Sequence, residues 1–175
     1  MQKLTKTKKL VVSAALLAIG MLLPYLTGQI PEIGNKISPL HLPVLICGFV
    51  CGWEYGLVVG FILPLLRSIT LGMPPLMPVA SAMAVEMAVY GAVAGKLYEV
   101  LPKKNSSVYF ALIAAMLCGR VAWGVVSIPL YGMAGRTFTL QVFVTSAFIN
   151  AVPAILIQLL VVPVIVIALK KAKVV

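Results

Sequence analysis

Three ionisable residues lie inside long apolar runs of this sequence: Arg67, Glu86 and Arg120. Charges at such depth in a membrane are rare, and on insertion scales each costs about 2.5–3.5 kcal/mol. Two arginines against one glutamate predict a net positive polar site. Arginine suits a carboxylate ligand because its planar fork donates two parallel hydrogen bonds. A buried ion pair that only locks helices together is the alternative interpretation.

Other polar and aromatic residues are predicted to approach the same depth. Asn150 lies about twelve residues into the last apolar run, and Trp123 lies one helical turn from Arg120. Trp123 is too deep for an interfacial aromatic belt, so it is either a cavity wall or core packing. His41, between two prolines, is either a satisfied interfacial residue or a ligand contact. The candidate substrate-binding set is therefore Arg67, Glu86, Arg120, Trp123, Asn150 and His41.

Catalytic, metal and nucleotide chemistry find little support in the sequence. Cys47 and Cys51 are four residues apart on one helix face, but only His41 stands near as a third metal ligand. Packing explains them better, and we expect no metal site and no cofactor. There is one histidine, no aspartate and no phosphate-binding G-x-x-x-x-G-K-[ST] segment, which argues against an enzyme or an ATPase.

The composition requires lipid as the solvent. Of 175 residues, 62% are hydrophobic and only 10% are charged, against about 25% in soluble domains. The mean hydropathy is +1.10. The net charge of +10 comes from lysines and arginines clustered mainly in short ends and loops. That clustering is typical of membrane topology and gives no reason to expect a nucleic-acid partner.

We predict an all-α integral membrane protein, with residues 1–175 forming a single transmembrane domain. The first apolar run follows a basic start without a clear cleavage site, so it is interpreted as a retained helix. The second and third spans are joined only by Gly52, Trp53 and Glu54. The six predicted spans are approximately residues 10–26, 40–52, 55–71, 77–100, 108–131 and 138–169.

The distribution of lysines predicts the orientation. With the N-terminus inside, ten lysines lie in cytoplasmic segments, whereas only Lys36 and Arg136 fall in outer loops. Such asymmetry favours cytoplasmic placement of both termini and hence an even number of spans. The deep charges then lie nearer the outer face.

The first predicted span carries small residues on one face. Ala14 and Ala18 are four residues apart, so their side chains lie one above the other. A small-xxx-small pair allows another helix to approach closely in lipid.

Taken together, these features resemble the substrate-binding S components of energy-coupling factor (ECF) vitamin transporters. The resemblance covers nearly the whole chain. It includes the Ala14/Ala18 pair, SPLHLPVLICGF at 38–49, GFILPLLRS at 60–68, GMPPL at 72–76 and AVEMA at 84–88.

The resemblance implies a bacterial plasma-membrane subunit that captures one vitamin or precursor near its outer face. It implies partnership with a transmembrane T component, docked on Ala14 and Ala18, and with two cytoplasmic ATPases. Toppling of the S component would release the cargo inside. Pantothenate fits the arginine surplus, while pyridoxine, hydroxymethylpyrimidine and riboflavin stay open.

Two readings compete with this one. The first is a small secondary transporter, although the sequence shows no convincing internal repeat. The second is a structural subunit of a membrane complex, in which the buried charges would pair with partner chains.

Overall fold

The computed structural model describes residues 4–26, 38–102 and 104–172. Within these ranges the chain is almost entirely helical, with short turns between the helices and no β-strand. A π-helical turn at Leu76–Ala80 leads into the fourth helix, and another at Thr145–Ile149 follows the sixth. The helices are α1 (Lys6–Leu26), α2 (His41–Cys51), α3 (Trp53–Leu71), α4 (Ser81–Val100), α5 (Asn105–Met133), α6 (Leu140–Val144) and α7 (Val152–Lys171).

Lysines gather at one end of the bundle, which we call the basic end. There the ammonium of Lys9 lies 5.8 Å from the Tyr55 ring centroid, and that of Lys96 lies 5.7 Å from the Trp53 ring centroid. Lys170 and Lys171 occupy the last turn of α7. Cations at that position also complement the helix dipole. The opposite end, where α2, α4 and α7 begin, is called the far end.

Five helical segments are long and apolar enough to cross a membrane: α1, α3, α4 with its leading turn, α5 and α7. The predicted second span corresponds to α2, which has 11 residues. At 1.5 Å per residue it covers about 16 Å of a hydrocarbon core that is about 30 Å thick. A helix this short can lie at membrane depth only because neighbouring helices enclose it; ten of its residues are buried.

The segment 138–169, predicted as one span, forms two helices separated near Asn150 and Ala151. Pro153 stands in the first turn of α7. Proline lacks a backbone N–H and its ring clashes with the preceding turn, so it suits a helix start and interrupts a continuous helix.

Direct backbone contact joins α2, α3 and α4. A methyl group added at Gly48 or Gly56 would collide with the backbone of Gly91, and one added at Gly60 would collide with the backbone of Met87. Glycine allows helices to approach this closely, and close packing is a main source of helix association in lipid. These three helices therefore form the tightest part of the bundle.

Apolar stripes face outwards on the peripheral helices. On α5 the exposed side chains recur every three or four residues: Phe110, Ile113, Leu117, Val121, Val125 and Ile128. On α7 they are Val152, Leu156, Leu160 and Val164. Continuous stripes of this length would be aggregation-prone in water, and they fit contact with lipid.

Candidate functional site

Four helices meet in one part of the core. Leu45 on α2, Tyr90 on α4, Met116 on α5 and Val162 on α7 belong to a single buried hydrophobic cluster. One helical turn farther from the basic end, each of these helices carries a polar residue on the same face.

These polar residues are His41, Glu86, Arg120 and Gln158, which we call the polar layer. Glu86 contacts both His41 and Arg120. Gln158 is assigned to the layer by its register, one turn before Val162 on α7. Glu86 is 2% exposed, His41 3% and Gln158 0%, so the layer is closed off from solvent. Apolar packing on the basic-end side keeps water from reaching it along that route.

An ion pair forms the centre of the polar layer. Arg120 Nη1 lies 2.9 Å from Glu86 Oε1, and His41 Nε2 lies 3.9 Å from Glu86 Oε2. The His41 ring also contacts the Tyr90 ring, with centroids 5.2 Å apart. The pairing reduces the electrostatic penalty of each buried charge, and the aromatic contact fixes the His41 ring.

Several buried polar atoms in or near the polar layer have no hydrogen-bond partner among the described residues. Buried polar atoms in proteins are nearly always hydrogen-bonded, so a group of unpaired ones indicates a missing partner such as a ligand. The atoms without a partner are Arg120 Nε, Ser127 Oγ and both amide atoms of Gln158, whereas His41 and Tyr90 both interact with Glu86.

Arg67, also predicted to line the site, makes its contacts with α1. Its Nη1 donates a hydrogen bond to the backbone carbonyl oxygen of Met21 at 2.8 Å, and its guanidinium lies 5.7 Å from the Tyr25 ring centroid. Both contacts are on α1. Arg67 therefore joins α3 to α1.

Trp123 and Asn150, both predicted to line the site, have different surroundings. Trp123 packs against Phe138 and Phe143, at centroid distances of 5.4 and 6.1 Å, one turn beyond Arg120 towards the far end. It thus belongs to an aromatic wall next to the polar layer. Asn150 is exposed in the break between the last helices.

Sequence reasoning missed Gln158 and Tyr90. The signal for Gln158 was available, since it is the lone polar residue within residues 152–169. A polar residue in such a run is a functional candidate on the same ground as a charge. Tyr90 follows Glu86 by one turn, but its ring alone does not distinguish core packing from a site.

The small-residue face of α1 is open on the outside of the bundle. Ala14 and Ala18 are both exposed. Beside them a groove of about 320 Å³ runs between α1 and α3, lined mainly by Ser13, Ala14, Leu17, Tyr55 and Val58. A helix from another chain could lie against this face without displacing any side chain of the core.

Cys47 and Cys51 are buried free thiols behind α1. Cys47 donates a weak hydrogen bond to Ser13 Oγ at 3.5 Å, and Ser13 in turn donates to the Lys9 carbonyl oxygen at 2.7 Å. Within the described residues, no group of three or more histidine, cysteine or acidic side chains could hold a metal ion. The thiols are accounted for by packing between α1 and α2.

The fold and the polar layer define a multi-pass helical membrane protein with an enclosed polar site. The chain matches the model of the family "ECF transporter, substrate-specific component" over residues 8–166, and it belongs to that family. It is therefore a substrate-specific subunit of an ECF transporter. Searches of curated proteins and of solved structures found no significant match.

Proposed function

We propose that this subunit captures a vitamin or vitamin precursor in the polar layer and delivers it to a T component driven by two cytoplasmic ATPases. The observation that supports this most is the set of unpaired buried polar atoms around Glu86 and Arg120. A layer that served only to lock helices together would satisfy its own hydrogen bonds.

The proposed orientation places the far end outside the cell. Six membrane-embedded segments, with α2 counted as one, then leave both termini in the cytoplasm of a bacterial cell. The basic end faces inwards, in keeping with the enrichment of cytoplasmic segments in lysine. Cargo would enter from the far end, past the aromatic wall of Trp123, Phe138 and Phe143.

The proposed release step is toppling of the subunit after its α1 face meets the T component. Ala14 and Ala18 are exposed, and the adjacent groove is apolar, so both suit contact with a partner helix in lipid. Within the described residues, the polar layer takes its side chains from other helices, which keeps the docking face and the cargo site separate.

Pantothenate, pyridoxine, hydroxymethylpyrimidine and riboflavin are the cargo candidates. The preference for pantothenate depended on two arginines facing one site. With Arg67 bonded to α1 and Arg120 paired with Glu86, neither arginine is free of a partner. We therefore do not rank pantothenate above the other three candidates.

The test is ligand capture by the isolated subunit. The chain is purified in detergent, incubated with each of the four vitamins, and melted with and without ligand. A ligand that binds only the folded state raises the melting temperature as its concentration passes Kd. An Arg120→Met variant should lose that shift. If none of the four shifts wild-type melting and none is taken up by cells expressing the whole transporter, the proposal is wrong.

A further inference from the structure

We propose that the polar layer selects an uncharged ligand with an amide-like edge, which means a hydrogen-bond donor next to an acceptor. The side-chain amide of Gln158 would form hydrogen bonds with both groups of that edge. This inference rests on the proposed function, because it specifies the cargo of the same site. The chemical class is a neutral polar ring or amide, and carboxylate-bearing ligands are excluded.

The charge balance of the site is the first argument. Glu86 and Arg120 are 2.9 Å apart and both buried, so their charges cancel locally. A carboxylate ligand that formed an ion pair with Arg120 would leave Glu86 buried without its partner. Breaking a buried pair in this way is strongly unfavourable, whereas a neutral ligand leaves it intact.

The unpaired atoms give the second argument. Gln158 is fully buried, and neither its amide nitrogen nor its amide oxygen has a partner among the described residues. One atom donates and the other accepts, and they are held side by side on one planar group. Their natural complement is a ligand edge with the reverse pair, as in an amide, a lactam or a substituted pyrimidine.

The neighbouring unpaired atoms extend the same description. Arg120 Nε can only donate, whereas Ser127 Oγ can donate or accept. Leu45 and Met116 on the basic-end side supply an apolar floor. A flat neutral ring bearing several acceptors fits this mixture, since it can pair at its edge and pack on its faces.

The experiment offers matched pairs that differ in charge. Purified chain is incubated with equimolar pantothenol and pantothenate, pyridoxine and 4-pyridoxate, and nicotinamide and nicotinate, then washed and extracted. The retained compounds are quantified by mass spectrometry. We expect the retained compound to be a neutral member, in at least about tenfold excess over its carboxylate partner.

Two replacements then test the role of Gln158. Gln158→Met keeps an unbranched chain without the amide, and Gln158→Leu serves as a second apolar variant. Each should weaken binding of the retained compound about tenfold, because two hydrogen bonds are lost. Neither should lower the melting temperature without ligand, since the replaced atoms have no partners there.

The outcomes separate this inference from the proposed function. Retention of a carboxylate member, or full affinity in both Gln158 variants, overturns the inference and leaves vitamin capture standing. A fall in ligand-free melting temperature in both variants shows a structural glutamine and also overturns it. Retention of none of these compounds overturns the inference, whereas vitamin capture is decided separately by the melting and uptake tests with all four vitamins.

Discussion

Gly56 on α3 and Gly91 on α4 lie in direct backbone contact, so that a methyl group on either glycine would collide with the backbone of the other. Backbone cannot move aside as the end of a flexible side chain can. The separation between α3 and α4 is therefore fixed at this point. That separation sets the position of Glu86 relative to its neighbours.

We expect Gly91→Ala to destabilise the protein by about 1–3 kcal/mol, as overpacked cores generally do. The measurement is a thermal melt in detergent. Gly132→Ala is the matched control, because Gly132 is also helical and has nothing within 4 Å of the added methyl group. The control should be neutral or slightly stabilising. Equal melting temperatures for the two variants would show that the α3–α4 contact is loose.

The Glu86–Arg120 pair should be costly to break from one side. Glu86→Gln leaves Arg120 buried without its counter-charge, and a loss of about 3–5 kcal/mol is typical of such a change. The double variant Glu86→Gln/Arg120→Met removes both charges and should recover much of that loss in a ligand-free melt. Additive losses in the double-mutant cycle would mean that the two side chains do not interact.

Arg67 should matter for stability and not for cargo. Arg67→Met removes the hydrogen bond to the Met21 carbonyl oxygen and the contact with the Tyr25 ring. We expect a lower melting temperature, with the Kd of the retained vitamin changed less than about twofold. Arg120→Met is the comparison variant, because it should lose affinity for the vitamin. A large loss of affinity in Arg67→Met at unchanged stability would place Arg67 at the cargo site.

Large side chains on the exposed face of α1 should uncouple transport from binding. Ala14→Trp or Ala18→Trp should abolish uptake by cells, since a bulky ring prevents close helix approach, while the isolated chain still binds cargo. Leu22→Trp is the control, because Leu22 is 65% exposed on the same helix and is already large. Uptake that survives both alanine replacements would exclude this face as the docking surface. Loss of binding as well would mean that the face packs internally.

Topology can be tested by labelling. Tags at both termini and a single cysteine introduced at Asn105 should react only with reagents that reach the cytoplasm, because lysine-rich segments face inwards. The cysteine is best introduced in a Cys118→Ala background, since Cys118 is exposed. An externally labelled N-terminus would reverse the orientation and place the polar layer on the cytoplasmic side.

Sequence patterns predicted the all-helical membrane character and the depth of Glu86 and Arg120, because both follow from hydropathy along single segments. They also led to the Glu86–Arg120 pair as one of the possible arrangements. The position of Arg67 could not be predicted, since depth along a helix does not say which neighbour a side chain faces. The break at Asn150 and Ala151 could not be predicted for a related reason, since the apolar run continues across it and Pro153 is the only local signal.

The polar layer draws on α2, α4, α5 and α7, whereas the exposed alanines lie on α1, which Arg67 holds at the edge of the bundle. Substitutions at the four layer positions would leave the outer face of α1 unchanged. Under the proposed function, cargo choice and partner recognition can therefore diverge independently among descendants of one ancestral chain. A descendant with a new nutrient specificity would keep the α1 face that is proposed to bind the T component, and so could still use the same ATPases.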